Sequence, residues 1–173
     1  ADAEVERISR NTKLVDVKWE TETGEELIIS TTRPEMICAC GVVVVHPDDQ
    51  RYQHLVGKKA ILPMPVSGRE SSVEIKTHPS VKSDFGSGIL MVCSFGDQND
   101  VAVFRELGLT PLQAIDLDGC MTEISAELSG LSVLEARAKA IEMLDSSGKI
   151  SQIEERSQEV PVSERGKNPV EII

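Results

Sequence analysis

The sequence predicts a β-rich α/β domain in which a sheet is accompanied by a few helices. Short apolar runs with strand character fill the first two thirds of the chain, turn residues separate them, and helical periodicity begins only after Asp97. A length of 173 residues suffices for one domain that buries a sizeable core without disulfides or metals. We therefore expect a single domain over residues 1–173.

The strand predictions rest on alternating patterns and on β-branched runs. Residues 14–19 alternate apolar and polar, and Thr23-Gly24 can turn the chain into residues 27–30, so these two segments are expected to form a hairpin. The four valines at 42–45 are typical of a strand buried on both faces. Further strands are predicted at 59–62, 73–76, 89–93, 150–153 and 159–162.

Two helices are predicted from their capping residues. Asn99 or Asp100 can cap the first. Ser132 and Glu135 fit a capping box, in which a hydroxyl and a carboxylate satisfy free amides of the first turn, and this second helix should run to about Leu144. The face expected to meet the core carries Leu134, Ala138, Ile141 and Met143, or their neighbours.

Composition excludes several classes of function. The net charge of −11 disfavours tight nucleic-acid binding by the chain alone, because phosphate neutralisation needs a basic face. Apolar runs are too short to span a membrane and no signal segment opens the chain, so a cytoplasmic location without membrane association is expected. The first residue is not methionine and the end is abrupt, which favours a domain of a longer polypeptide.

No metal or nucleophile motif is evident. The cysteines lack the paired spacing of zinc sites, and Cys38 and Cys93 are interpreted as small hydrophobic residues in a reducing compartment. The run His46-Pro47-Asp48-Asp49 has no third ligand and is predicted to be a turn. Any chemistry must therefore come from positioning a ligand.

Two polar segments are the candidates for such positioning. Thr31-Thr32-Arg33-Pro34-Glu35 ends a strand with hydroxyls, free amides and a cation, which suits a small polar ligand or an ordinary strand-to-loop junction. Gly86-Ser87-Gly88 precedes an apolar strand that leads to Asp97 and Asp100. These two carboxylates could bind a ligand ammonium or cap the following helix. Local chemistry leaves both alternatives open.

Taken together, these segments resemble the editing domain inserted in the class I aminoacyl-tRNA synthetases for valine, isoleucine and leucine. Thr31 to Glu35 resembles the threonine-rich peptide of that family, and Gly86 to Asp100 resembles its Gly-Thr-Gly and Asp-x-x-Asp segment. The resemblance runs from about Thr12 to Ile150 in the right order. It implies a twisted, barrel-like sheet, and the valine type, of archaeal character, fits best.

The resemblance also implies an activity, the hydrolysis of threonine misattached to tRNA(Val) and of threonyl-adenylate. Asp100 matches the aspartate that holds the substrate α-ammonium, and Asp97 matches the acid beside the side-chain hydroxyl. Thr31, Thr32 and Arg33 would line the ester and the terminal adenosine. Thr31, Thr32 and Asp100 are thus the implied catalytic residues. Glu35, Met36, Met91 and Cys93 complete the implied substrate site.

The chain departs from the valine pattern at three of these positions. Met91 occupies a position where the valine pattern has a lysine, and Cys93 and Met36 occupy positions where it has threonines. Either another cation replaces the lysine, or recognition of threonine depends more on Asp97.

The partners implied are the tRNA(Val) acceptor end and the remainder of a synthetase. The editing reaction would need no cofactor, since ATP serves the synthetic domain of the parent enzyme. Two alternatives stay open: an isoleucine-type domain that hydrolyses valyl-tRNA(Ile), and a non-catalytic module that docks a tRNA end or a partner.

Overall fold

Seven strands form one mixed sheet that closes nearly into a barrel, as the sequence predicts. The computed structural model describes residues 5–95 and 98–163, with side-chain surroundings for residues 12–95 and 98–155. The strands are β1 (Val5–Thr21), β2 (Glu26–Thr31), β3 (Cys40–Val45), β4 (Lys59–Ile61), β5 (Ser72–Thr77), β6 (Ile89–Cys93) and β7 (Ile150–Ser163). The helices are α1 (Gln98–Glu106) and α2 (Val133–Ser146), with 3-10 helices at Pro34–Ala39, Gln53–Leu55 and Glu123–Leu128.

The sheet order is β2-β1-β4-β5-β3-β6, and β7 pairs with β1. The predicted hairpin of β1 and β2 is present, with Val17 opposite Ile29. The two strand pieces predicted near the end are one continuous strand, because β7 pairs with β1 from Val17↔Ile150 to Val5↔Ser163. Polar residues such as Glu154 and Glu155 interrupt the apolar pattern there, yet backbone hydrogen bonding does not depend on side-chain polarity.

β3 lies inside the sheet and is covered on both faces. It pairs in parallel with β5 and antiparallel with β6, and Val42 to Val45 are all buried, which confirms the prediction for this run. Val43 and Val45 face the main core, whereas Val42 and Val44 face a smaller cluster that includes Phe104 of α1. Gly41 leaves the space that the Phe104 ring occupies. β3 thus provides the surface on which α1 docks.

The capping box of α2 is present, and the buried face agrees only in part with the expected one: Ile141 and Met143 pack partly buried against the core, whereas Leu134 and Ala138 are exposed. Ser132 Oγ accepts from the Glu135 amide, and the Glu135 carboxylate accepts from the Ser132 amide. The hydrogen bonds to Ser132 hold the pKa of Glu135 below its usual range. The buried residues are Val133, Ala136, Ala140 and Leu144, whereas Leu134 is 52% exposed. The alanines let α2 approach the 3-10 helix at Pro34–Ala39 closely.

The segment after Arg33 is a buried 3-10 helix and not an open loop. Pro34 begins it, as expected for a residue whose missing amide is not needed at a helix start. Arg33 has φ −132° and ψ 65° and is not fully extended, because the chain turns immediately into the helix. Every residue from Pro34 to Ala39 is buried.

The first helix also begins at a different residue from the predicted one. α1 starts at Gln98, so Asn99 and Asp100 lie in its first turn and are not its cap. Gly108, with φ +65°, follows the helix, and glycine is common at such a helix end. Over residues 5–95 and 98–163, no helix is long and apolar enough to cross a membrane.

Candidate functional site

A cavity of about 280 Å³ lies between the end of β2, the 3-10 helix at Pro34–Ala39, β6 and the first turn of α1. It is polar on the side of β2 and α1 and largely apolar on the side of β6. Its lining residues are Leu14, Ser30, Thr31, Thr32, Arg33, Met36, Phe85, Leu90, Met91, Cys93, Asn99 and Asp100.

The two polar segments singled out in the sequence therefore meet at one cavity. Seven of the predicted site residues line it. On the side of β2 these are Thr31, Thr32, Arg33 and Met36, and on the side of β6 and α1 they are Met91, Cys93 and Asp100. They meet because β2 lies against β6 across the sheet. Glu35 is buried outside this lining, and Asp97 lies outside the described residues.

Asp100 lines the cavity from the first turn of α1. Its carboxylate accepts a hydrogen bond from the Cys93 amide at 3.3 Å. The position in the first turn of α1 favours a negative charge, because the unpaired amides there carry the positive end of the helix dipole. The arrangement holds an anion at the wall, where a ligand cation could reach it.

The threonine-rich side offers hydroxyl groups held by the backbone. Thr31 Oγ1 accepts from the Arg33 amide at 3.0 Å, which fixes the turn after β2. A hydroxyl that accepts one hydrogen bond can still donate its own proton to a ligand. Behind it, Ser30 Oγ donates to Asp16 Oδ1 at 2.7 Å. Thr31 and Thr32 therefore present polar groups from a fixed turn.

Glu35 anchors this turn from behind and is fully buried. Arg137 of α2 donates two hydrogen bonds to it, Nε to Oε1 at 3.0 Å and Nη2 to Oε2 at 2.9 Å. Arg33 Nε lies 3.8 Å from Glu35 Oε2. A buried carboxylate needs such partners, since an unpaired one would be strongly destabilising.

The thiols near the cavity are not nucleophiles. Burial raises the pKa of Cys38 to about 12. The pKa of Cys93 is also raised, first by a hydrogen bond with Cys40 and then by burial. Both thiols are therefore protonated at neutral pH, which agrees with their interpretation as small hydrophobic residues.

The Phe85–Gly88 turn forms the rim of the cavity and requires its two glycines. Gly86 has φ +57°, and a Cβ there would lie 2.6 Å from Ser30 Oγ. Gly88 has φ +84°, and a Cβ there would lie 2.8 Å from the Ser83 carbonyl oxygen. Side chains in this backbone conformation are strained. The turn that brings Phe85 to the cavity therefore requires glycine at positions 86 and 88.

Hydrogen bonds from neighbouring segments hold this rim. The Tyr52 hydroxyl donates to the Ser87 carbonyl, and the Ser87 hydroxyl donates to the Ile28 carbonyl of β2. Arg51 Nη2 donates to the Ser83 carbonyl at 2.8 Å and also pairs with the Asp49 carboxylate. This pairing lowers the pKa of Asp49. The run His46 to Asp49 is a turn that supports the rim, in agreement with its prediction.

The prediction missed several residues of the site. Asn99 lies inside the second polar segment and Phe85 directly precedes it, so both could have been found there. Leu14 comes from β1, and Arg137 pairs with a residue 102 positions away, so neither is visible without the fold. Within the part of the chain that the structure describes, no cluster of three His, Cys, Asp or Glu could hold a metal ion.

Comparison with known proteins gives close relatives in sequence. The chain is 41% identical over 174 residues to the valine–tRNA ligase of Aeropyrum pernix and 42% identical over 174 residues to that of Nanoarchaeum equitans. Each alignment covers 100% of this chain but only 21% and 22% of the respective ligase. The chain thus spans about a fifth of the length of these relatives. No family model matches.

The fold has a counterpart among solved structures. A LeuRS chain in the ternary complex of Agrobacterium radiobacter LeuRS, tRNA and LeuAMS matches with a TM-score of 0.61. The match covers 91% of this chain and 21% of that chain at 15% identity, so the likeness concerns the fold.

Sequence and fold together identify the chain as an editing domain of the class I aminoacyl-tRNA synthetases. Within that class its sequence is of the valyl type. Both relatives named above come from archaea, in agreement with the archaeal character noted in the sequence.

Proposed function

We propose that the cavity hydrolyses the ester bond of threonyl-tRNA(Val), and the acyl-phosphate anhydride bond of threonyl-adenylate, as the editing activity of a valyl-tRNA synthetase. The observation that carries this proposal is the meeting of Thr31 to Arg33 with Asp100 around one small cavity. A volume of about 280 Å³ suits an aminoacyl group better than a whole nucleotide.

The need for such an activity follows from the limits of binding. A pocket shaped for valine cannot strongly reject threonine, an isostere with a hydroxyl in place of a methyl group. Valyl-tRNA synthetase is itself the known example, with a rejection of only ~10²-fold before editing. A second site that binds the hydroxyl can refuse valine, because its polar groups would lose their partner.

In the proposed complex, the Asp100 carboxylate accepts hydrogen bonds from the α-ammonium of the substrate. A water molecule attacks the ester carbonyl carbon, the bond to the ribose oxygen breaks, and that oxygen takes up a proton. The Thr31 and Thr32 hydroxyls and nearby backbone amides stabilise the negative charge that develops on the carbonyl oxygen. Positioning supplies the rate enhancement, so the reaction needs no cofactor.

The remaining residues of the site determine its specificity for the amino acid and its binding of the terminal adenosine. Arg33 binds the phosphate or ribose of the terminal adenosine, and Met36, Met91 and Cys93 form the wall around the threonine side chain. Asp97 is the proposed acceptor for the threonine hydroxyl. Glu35 acts from behind the wall, as its buried ion pair with Arg137 indicates.

The proposed partners are the tRNA(Val) acceptor end and the rest of the parent synthetase, in the cytoplasm. The net charge of −11 fits this proposal, because binding of the tRNA body needs a basic surface, which the rest of the parent enzyme would supply. ATP would serve the synthetic domain and not this cavity.

Deacylation kinetics test the proposal. The chain, alone and within the full-length synthetase, is incubated with threonyl-tRNA(Val), valyl-tRNA(Val) and valyl-tRNA(Ile), and the free amino acid is measured over time. We expect weak hydrolysis by the chain alone, strong hydrolysis in the synthetase, and a preference for threonyl-tRNA(Val) of about tenfold or more.

Equal rates on threonyl- and valyl-tRNA(Val), or no hydrolysis even in the full-length enzyme, would contradict the proposal. Faster hydrolysis of valyl-tRNA(Ile) would indicate the isoleucine type. Binding of the tRNA end without hydrolysis would indicate a docking module.

A further inference from the structure

One buried carboxylate lies between two arginines behind the threonine-rich turn. Glu35 has no exposed side-chain surface, whereas 21% of the Arg137 side chain and 26% of the Arg33 side chain remain exposed. Arg137 comes from α2 and Arg33 from the turn that lines the cavity. The carboxylate thus connects α2 with the wall of the cavity.

The pair of Glu35 and Arg137 is rigid. Two parallel hydrogen bonds of 3.0 and 2.9 Å join them, a geometry that only the planar guanidinium can make with a carboxylate. Both partners stand on fixed elements. Glu35 belongs to the buried 3-10 helix, and Arg137 follows Ala136, which is itself buried against the core.

The two arginines approach the same oxygen atom of Glu35. Arg137 Nη2 donates to Glu35 Oε2 at 2.9 Å, while Arg33 Nε stays 3.8 Å from the same oxygen. The negative charge of Glu35 therefore attracts Arg33, but Arg33 Nε lies outside hydrogen-bond distance of that oxygen. Its side chain remains part of the cavity lining.

We infer that Arg137 is a positioning residue for the site: by occupying Glu35, it keeps Arg33 directed to the cavity, where Arg33 binds the terminal adenosine of the substrate. This inference rests on the proposed function of the cavity. Arg137 is absent from the lining of the cavity, so its inferred role runs through its contact with Glu35.

Arg137→Met is expected to release the Glu35 carboxylate to Arg33. A buried anion attracts the nearest cation strongly, so Arg33 should move towards it and away from the substrate. We expect KM for threonyl-tRNA(Val) to rise about tenfold with little change in kcat, because the lost contact is one of binding. Arg137→Lys, which keeps the charge without the paired geometry, should raise KM less and remain folded.

Two further variants separate this role from a general loss of structure. In an Arg33→Ala background, Arg137→Met and Arg137→Lys should have no further effect on KM. In Glu35→Gln/Arg137→Met, position 35 carries no charge that would draw Arg33 away, so KM should return towards the wild-type value. Lys139→Met is the matched control on the same helix, where Lys139 only contacts the Glu127 carbonyl at 3.2 Å.

A crystal structure of Arg137→Met, or of Arg137→Lys where the former does not fold, tests the inference without an activity assay. Arg33 Nε should move from 3.8 Å to hydrogen-bond distance of Glu35, about 2.9 Å. An unmoved Arg33, or an effect on KM that persists in the Arg33→Ala background, would overturn the inference. A wild-type protein that hydrolyses nothing would refute the proposed function instead.

Discussion

Asp100→Ala is expected to lower kcat/KM for threonyl-tRNA(Val) hydrolysis roughly a hundredfold. Hydrogen bonds to a charged group contribute about 1.5–3 kcal/mol, and each 1.4 kcal/mol corresponds to a factor of ten. The Asp100 carboxylate lines the cavity from the first turn of α1. Its removal leaves the substrate ammonium without an anion, so both binding and the alignment of the ester with water suffer.

The control for this prediction must separate lost binding from lost structure. Asp100 also accepts from the Cys93 amide, so Asp100→Asn, which retains an acceptor oxygen, should keep more stability than Asp100→Ala and yet lose most of the activity. Asp118→Ala, at an exposed residue that does not line the cavity, is the matched neutral change. Unchanged hydrolysis of misacylated tRNA by Asp100→Ala would show that Asp100 does not hold the ammonium.

Gly41→Ala is expected to destabilise the protein by ~1–3 kcal/mol, which lowers Tm by roughly 2–12 °C in a domain of this size. A Cβ at Gly41 would overlap the Phe104 ring, with ring atoms Cε2 and Cε1 at 3.0 and 3.1 Å. Phe104 lies on α1, which also carries Asp100. Either the Phe104 ring or the whole helix must therefore shift, and an outward shift of α1 displaces Asp100.

A displaced Asp100 should also lower activity, since misplacement by about 1 Å can cost a hundredfold in rate. Thermal unfolding and deacylation kinetics measure the two effects on the same variant. The compensating variant Gly41→Ala/Phe104→Leu restores space and should recover part of both stability and activity. If Gly41→Ala lost no stability, the close docking of α1 on β3 would be wrong.

The sequence was informative where a local pattern determines the structure. Four consecutive valines predict a strand covered on both faces, and β3 is such a strand. Ser132 and Glu135 predict a capping box because its partners lie three residues apart, and the box is present. The two motif segments likewise carry seven of the nine predicted site residues into the cavity lining, where their catalytic and binding roles remain proposals.

Features that depend on tertiary packing were either not predicted from the sequence or predicted at the wrong residues. The buried face of α2 passes through Ala136 and Ala140, small residues whose role is close approach and whose apolar signal is weak. The expected face instead included Leu134, which is half exposed. The pairing of Glu35 with Arg137 joins distant positions through the docking of α2, and no spacing rule can indicate such a pair.

The central claim is that one cavity binds the threonyl end of tRNA between Thr32 and Asp100. The most direct measurement is a crystal structure with a threonyl-adenosine analogue in which an amide replaces the ester. We predict its ammonium within hydrogen-bond distance of Asp100, about 2.8 Å, and its carbonyl beside Thr31 and Thr32. An analogue bound elsewhere, or bound here equally well with valine in place of threonine, would contradict the account.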